Sequence, residues 1–270
     1  MSVAAHGAVP ERAIASTLRA ANPVRVAHRL WSDRDLIGQL TWREITGRYR
    51  SSTLGVVWSF VTPMVNLALY TFVFGVVFTA RWPGAHTNSL AEYGLMLFAG
   101  LTAFAVFSEC VTRAPSLIAA SPNYVKKVVF PLDVLPVSIA GAALFHAGIS
   151  VLLLTVARLV VMGAIAPTVA LVPIVLLPLV ALALGCSWVL ASLGVYVRDM
   201  AHAVALATQV LFFTTPIFYP LDAIPAAYQP IIAANPLTSI VQNMRNVAVA
   251  GSAPDWQARW ERAVRQAMAP

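Results

Sequence analysis

Charge is scarce in this chain. Only 11% of its 270 residues are Asp, Glu, Lys or Arg, against 59% hydrophobic, and the mean hydropathy is +0.75. Soluble domains carry about a quarter charged residues, and one of this size has too little interior to hide so much apolar surface. Cysteine is nearly absent too. Cys110 and Cys186 are the only two, each at or within an apolar segment. Structural zinc takes about four Cys or His ligands at short spacing, so the sequence predicts neither a disulfide nor a metal site. No Gly-x-x-x-x-Gly-Lys-Ser/Thr occurs, nor any Gly-Lys pair, so the backbone cradle that holds nucleotide phosphates is not expected in this chain. The carboxylates are scattered, without an Asp-Asp or His-x-x-x-Asp grouping. That weighs against an intramembrane enzyme acting on polyprenyl lipids, which would need such a cluster to hold a metal or a pyrophosphate.

What is present is apolar sequence in long runs. No Asp, Glu, Lys or Arg occurs in 55–80, 134–157, 159–197 or 200–221. Each run reaches the roughly 20 residues that cross about 30 Å of hydrocarbon as a helix. A further candidate at 90–110 carries Glu92 and Glu109, read as lying near its two ends, where a carboxylate can reach the interface. Alternating ten-residue segments are missing, so helices rather than a barrel must satisfy the backbone in lipid. The spans are expected near 55–80, 90–110, 134–160, 168–197 and 201–219. Pro63, Pro136, Pro173, Pro178 and Pro216 fall inside or beside them, which neighbouring helices in a bilayer tolerate.

The first 50 residues lack the apolar core of a signal peptide. They carry eight arginines, Arg12, Arg19, Arg25, Arg29, Arg34, Arg43, Arg48 and Arg50, against Glu11, Asp33, Asp35 and Glu44. The positive-inside rule puts this flank in the cytosol. Arg113, Lys126 and Lys127 then mark a second inside loop, 113–133, and Arg198 beside Asp199 a third corner. The net charge of +7 hugs the membrane edges rather than forming a patch with stacking aromatics, so anionic headgroups are the expected partner, not nucleic acid. Between Trp31 and Arg50, Leu36, Leu40, Ile45 and Tyr49 recur at roughly helical spacing among arginines. This suits a helix in the interface plane. Its arginines either snorkel or touch substrate; in the second case Arg43, Arg48 and Arg50 would meet a headgroup or pyrophosphate.

Four blocks carry a family resemblance. The run Ile45-Thr46-Gly47-Arg48-Tyr49-Arg50-Ser51-Ser52-Thr53-Leu54-Gly55-Val56-Val57-Trp58, with Pro63 and Phe74-Gly75-Val76-Val77-Phe78 after it, resembles the opening of type 2 ABC exporter permeases for O-antigen, capsule, teichoic acid and lipid-linked galactan. Ser121-Pro122-Asn123-Tyr124-Val125-Lys126-Lys127-Val128-Val129-Phe130-Pro131-Leu132-Asp133-Val134-Leu135-Pro136 is similar to the coupling segment of that family, and Tyr196-Val197-Arg198-Asp199-Met200-Ala201-His202 to its next cytosolic corner. Thr215-Pro216-Ile217-Phe218-Tyr219-Pro220-Leu221, followed by Asn235-Pro236-Leu237-Thr238, completes the set.

The resemblance implies a permease in the bacterial inner membrane that exports a lipid-linked polysaccharide. It would work as a homodimer, with a separate ATPase subunit that binds ATP and Mg; this chain would hold no cofactor of its own. Pro122, Asn123, Tyr124, Val125, Lys126, Lys127, Val128, Phe130, Pro131, Arg198 and Asp199 would couple the two subunits. A permease for another lipid or a drug would share the architecture. The expected fold is all-α integral membrane: a polytopic bundle with an N-terminal amphipathic interface helix and short extracytoplasmic gate helices. It divides into 1–53 cytoplasmic and interfacial, 54–221 transmembrane, and 222–270 extracytoplasmic.

Asn66, Tyr70 and Phe74 share one helical face, as do Gln209, Phe212 and Phe213, with Tyr219 beyond them. Aromatic faces with an amide suit sugar rings, although helix–helix packing is the commoner reason for such stripes. His146, in the third span, is expected to be a packing histidine satisfied by a polar neighbour rather than a proton carrier, and Arg158 to snorkel outward. The relatives continue past a Pro-Asp-Trp like Pro254-Asp255-Trp256 into a sixth span. Here 257–270 carries Arg259, Glu261, Arg262 and Arg265 and is too short and too charged to cross, so that span is expected to be missing.

Overall fold

The computed structural model describes residues 23–50, 52–77, 90–120, 130–225 and 227–256. Residues 257–270, expected not to cross, and most of the coupling segment, 121–129, lie outside them. Among the described residues all regular structure is helical, and the chain is an all-α, polytopic membrane protein. In chain order the elements are α1 (Pro23–Ser32), α2 (Arg34–Tyr49), α3 (Gly55–Val77), α4 (Leu90–Leu117), α5 (Val134–Met162), α6 (Val172–Tyr196), α7 (Met200–Thr214), α8 (Gln229–Ala233) and α9 (Pro236–Arg245).

α3, α4, α5 and the stretch Pro167–Tyr196, which ends in α6, are long and apolar enough to cross a bilayer. The expected fifth span is not: α7 has 15 residues, about 22 Å at 1.5 Å per residue. Its backbone turns extended at Thr215, because the following Pro216 disfavours helical geometry before it and Pro220 follows closely. The expected end of the second span at 110 is also corrected. α4 runs on to Leu117, so Arg113 and the residues after it are helical rather than looped.

α4 is the centre of the bundle. α5, α6, α7, α9 and the end of α3 all pack on it, and Leu95, Leu97, Ala99, Ala103, Val106 and Ala114 are buried. Lipid tails are as apolar as leucine, so helices in a membrane associate through close packing rather than hydrophobic exclusion, and small residues permit that approach. Gly94 faces Thr71, whose hydroxyl would lie 2.0 Å from an added Cβ; Gly194 of α6 faces the Pro115 carbonyl at 2.1 Å. On the outside Leu152, Val156, Val160, Ile174 and Leu177 are exposed, an apolar perimeter suited to lipid.

The N-terminal reading changes in detail. Asp33 separates α1 from α2, so the helix expected between Trp31 and Arg50 runs from Arg34 to Tyr49. α2 packs on α5 rather than lying free: Leu40 and Ile45 are buried, Leu40 in a small cluster with Val134 and Leu135. The Thr41 hydroxyl donates to the Ser138 carbonyl at 3.4 Å. Trp31 and Trp42 remain exposed on the other faces. At the far end of the chain, Asn235 caps α9 by accepting from the Leu237 N–H at 3.0 Å, with Pro236 in the first turn, a sequence suited to starting a helix. α9 is packed into the bundle through Leu237, Ile240, Val241 and Met244.

Gly194→Ala is expected to lower the thermal stability of the detergent-solubilised protein by about 1–3 kcal/mol through overpacking. Gly185→Ala on the same helix, with nothing within 4 Å of an added Cβ, leaves melting unchanged or slightly improved.

Candidate functional site

A cleft of about 690 Å³ opens along α4, between α3 and α7, with α2 at one end. Its walls divide by chemistry. Tyr70, Phe98, Phe104 and Phe212 supply aromatic surface, and Asn66 and Gln209 add two amides. At the α2 end stand Arg48, Glu109 and Arg113. Glu109 Oε1 pairs with Arg48 Nη2 and lies 3.7 Å from Arg113 Nη1, and Arg113 Nη2 pairs with Glu44. Arg48 and Glu44 sit on α2, Glu109 and Arg113 one turn apart on α4, so two helices hold four charges that sum to zero.

Five of the residues singled out from the sequence therefore meet in one place: Arg48, Asn66, Tyr70, Gln209 and Phe212. Others do not. Phe74 stacks on Tyr93 at 6.1 Å and on Phe218 at 5.5 Å. Phe218 in turn meets Phe212 at 5.1 Å, and Phe212 meets Phe104 at 5.2 Å. This chain of rings borders the cleft. The Tyr93 hydroxyl donates to the Phe218 carbonyl. Phe213 points outward, 60% exposed, and the Tyr219 hydroxyl donates to its carbonyl at 2.8 Å. Arg43 and Arg50 are exposed on α2 and on the residue after it. Of the coupling candidates, Pro122, Asn123, Tyr124, Val125, Lys126, Lys127 and Val128 lie outside the described residues. Phe130 packs on the cluster beneath α2, the Pro131 carbonyl accepts from Val134, and Arg198 and Asp199 are exposed at the corner before α7.

Residues 35–249 match the family described as ABC-2 type transporter. The chain belongs to the ABC-2 type transporter family. It is 30% identical over 234 residues to the O-antigen export system permease protein RfbA of Myxococcus xanthus, covering 86% of this chain and 87% of the relative. Against the protein of that name from Klebsiella pneumoniae the identity is 29%, covering 80% and 81%. The polysialic acid transport protein KpsM of Escherichia coli is 24% identical, covering 77% and 79%. This ABC-2 chain is thus a multi-pass transport subunit rather than an enzyme.

Two expectations about ionisable residues need correction. Glu109 is not at a helix end: α4 continues for two further turns, and the carboxylate is drawn into the cleft by its arginines. Arg158 does not snorkel. It is 8% exposed and donates from Nε to the Val249 carbonyl at 2.8 Å, and from Nη1 to that of Ala164. Glu92, fully shielded, stands in the first turn of α4, where the helix dipole favours a carboxylate. The Tyr49 hydroxyl lies 3.1 Å from His146 Nε2, joining α2 to α5.

The sequence reading missed Arg245 altogether. At 3% exposure it donates to the carbonyls of Met96 (2.9 Å), Pro216 (2.7 Å) and Ile217. An added Cβ at Gly100 would lie 3.0 Å from its Nη2. Arg245 therefore satisfies the carbonyls freed where α7 unwinds, which supports the Phe218 end of the aromatic chain. Its position in the last turn of an amphipathic segment reads as an ordinary surface cation, so only the Pro216 break hints that a donor is needed. Arg245→Met is expected to lower stability by about 3 kcal/mol, since charged hydrogen bonds are lost and buried carbonyls are left bare. Arg245→Lys recovers part of this, because an ammonium lacks the planar fork; thermal melting of the three proteins in detergent reads the difference.

Proposed function

We propose that this chain is the membrane-spanning subunit of an ATP-driven exporter that carries a lipid-linked polysaccharide across the bacterial inner membrane. The observation that carries the reading is the cleft. Tyr70, Phe98, Phe104 and Phe212 with Asn66 and Gln209 offer what a sugar chain needs, rings to stack on and amides for its hydroxyls. The O-antigen and polysialic acid exporters among the relatives support the same class of cargo.

In this reading two copies of the chain enclose the path, and the amino terminus lies in the cytosol. A separate subunit binds ATP and Mg and docks on the inside segments, with Lys126 and Lys127 in the loop and Arg198 and Asp199 at the corner. Phe130 and Pro131 would anchor the loop at the head of α5. Closure of the ATPase pair pushes on these segments and favours the open arrangement of the helices, a two-state shift set by differential binding of the partner to that form. Arg43, Arg48 and Arg50 would attract the anionic headgroup to the α2 end of the cleft.

Two measurements test this. The ATPase subunit is expected to co-purify with the intact chain and to be lost when 122–131 is deleted. In a permease-deleted host, Tyr70→Ala and Phe212→Ala are each expected to reduce surface glycan about threefold to tenfold, the scale of one aromatic contact. Undiminished export from both variants at normal expression would remove the lining role.

A further inference from the structure

The charges at the α2 end of the cleft are arranged more specifically than attraction of an anion requires. One oxygen of Glu109 accepts from Arg48 and lies 3.7 Å from Arg113 Nη1, standing between two guanidiniums where a phosphate oxygen could bridge them. Glu44 pairs with Arg113 through its other nitrogen and does not line the cleft, so Arg113 is held in aim by a carboxylate that ligand need not disturb. Both arginine side chains are more than a third exposed, at 39% and 38%. The Glu109 side chain is 17% exposed, and an ion pair whose cations are solvated contributes modestly to stability, so Glu109 can leave at limited cost to the fold.

We propose that Arg48 and Arg113 form the seat for the diphosphate of a lipid-linked substrate, and that Glu109 fills this seat as a tethered competitor that admits only ligands of higher charge. The proposal rests on the export function above and assigns the headgroup subsite within it. The physical argument is one of substitution. A monoanionic phospholipid headgroup brings the same single charge as Glu109 but must be recruited from the leaflet, whereas Glu109 is always present at high effective concentration. It therefore loses. A diphosphate brings more negative charge and several acceptor oxygens, which two guanidinium forks can take bidentately, so it displaces the carboxylate and gains in the exchange. Glu109 lowers the affinity for every anion, and by doing so separates the scarce diphosphate lipid from the abundant phospholipids around it.

The test is a titration of the full-length permease, with its ATPase partner, in nanodiscs of neutral lipid, using farnesyl diphosphate, farnesyl monophosphate and inorganic pyrophosphate as probes. Glu109→Gln is expected to bind farnesyl diphosphate about fivefold tighter than wild type, the scale of one partly exposed ion pair. Arg48→Gln and Arg113→Gln bind it more weakly. Glu44→Gln, which removes the same charge outside the cleft but releases Arg113 from its aim, binds the probe no tighter than wild type. Adding phosphatidylglycerol to the nanodiscs competes with the probe in Glu109→Gln and not in wild type. A Glu109→Gln protein that melts like wild type yet binds no tighter overturns the proposal, as does a Glu44→Gln protein that matches it. Inorganic pyrophosphate binding as tightly as the farnesyl ester overturns the lipid assignment. Glycan export by the wild-type chain is measured separately: its loss would sink the export reading, whereas intact export with no Glu109 effect sinks this proposal alone.

Discussion

Inside a bilayer the backbone has no water to turn to, and one apolar surface gains nothing by leaving lipid for another. Helices must therefore be held together by close approach and by internal hydrogen bonds. In this protein both demands converge on α4. Gly94 on α4 and Gly194 on α6 let α3 and α6 come so near that a methyl group at either would collide with Thr71 or Pro115, and α5, α7 and α9 complete the sheath of α4. Since α4 also forms the floor of the cleft, the packing that stabilises the bundle positions Phe98, Phe104, Glu109 and Arg113.

Buried or half-buried arginines serve two distinct ends here. Arg158 and Arg245 are sealed among backbone carbonyls at places where helices end or unwind. Each offers several donors to groups that water would otherwise satisfy, so these cations hold the fold together. Arg48 and Arg113 keep contact with solvent and bind carboxylates, which a stronger anion can replace. The distinction rests on partners: a carbonyl of the main chain cannot move aside without unfolding something, whereas the Glu109 side chain can rotate away.

Much of the architecture was legible in the residues. Charge-free runs such as 134–157 and 159–197 locate spans from length and composition alone, because both act locally and need no partner. The stripes Asn66–Tyr70 and Gln209–Phe212 gave two walls of the cleft, since helical spacing alone puts such residues on one face. The same spacing gave Phe74 and Phe213 equal standing with them, yet Phe74 is taken up in ring stacking and Phe213 turns outward. The expected length of α7 was wrong because hydropathy does not register that Pro216 unwinds a helix that is still apolar. The sequence puts Glu109 near a helix end because the apolar run stops at Cys110, and hydropathy does not register that the helix runs on through Arg113 to Leu117.

The sequence by itself determined that this chain lives in lipid, that it does so as helices, where most of them run, and which family it resembles. Each of these follows from composition, spacing or ordered local blocks, all of which are fixed along one dimension. Only the tertiary structure decided which helix is wrapped by the others, which arginines are sealed and which face the cleft, and that Glu109 stands between Arg48 and Arg113. Those outcomes depend on groups as far apart in sequence as α2 and α4, and the electrostatic energy of a charge is set by what lies within a few ångströms of it in space.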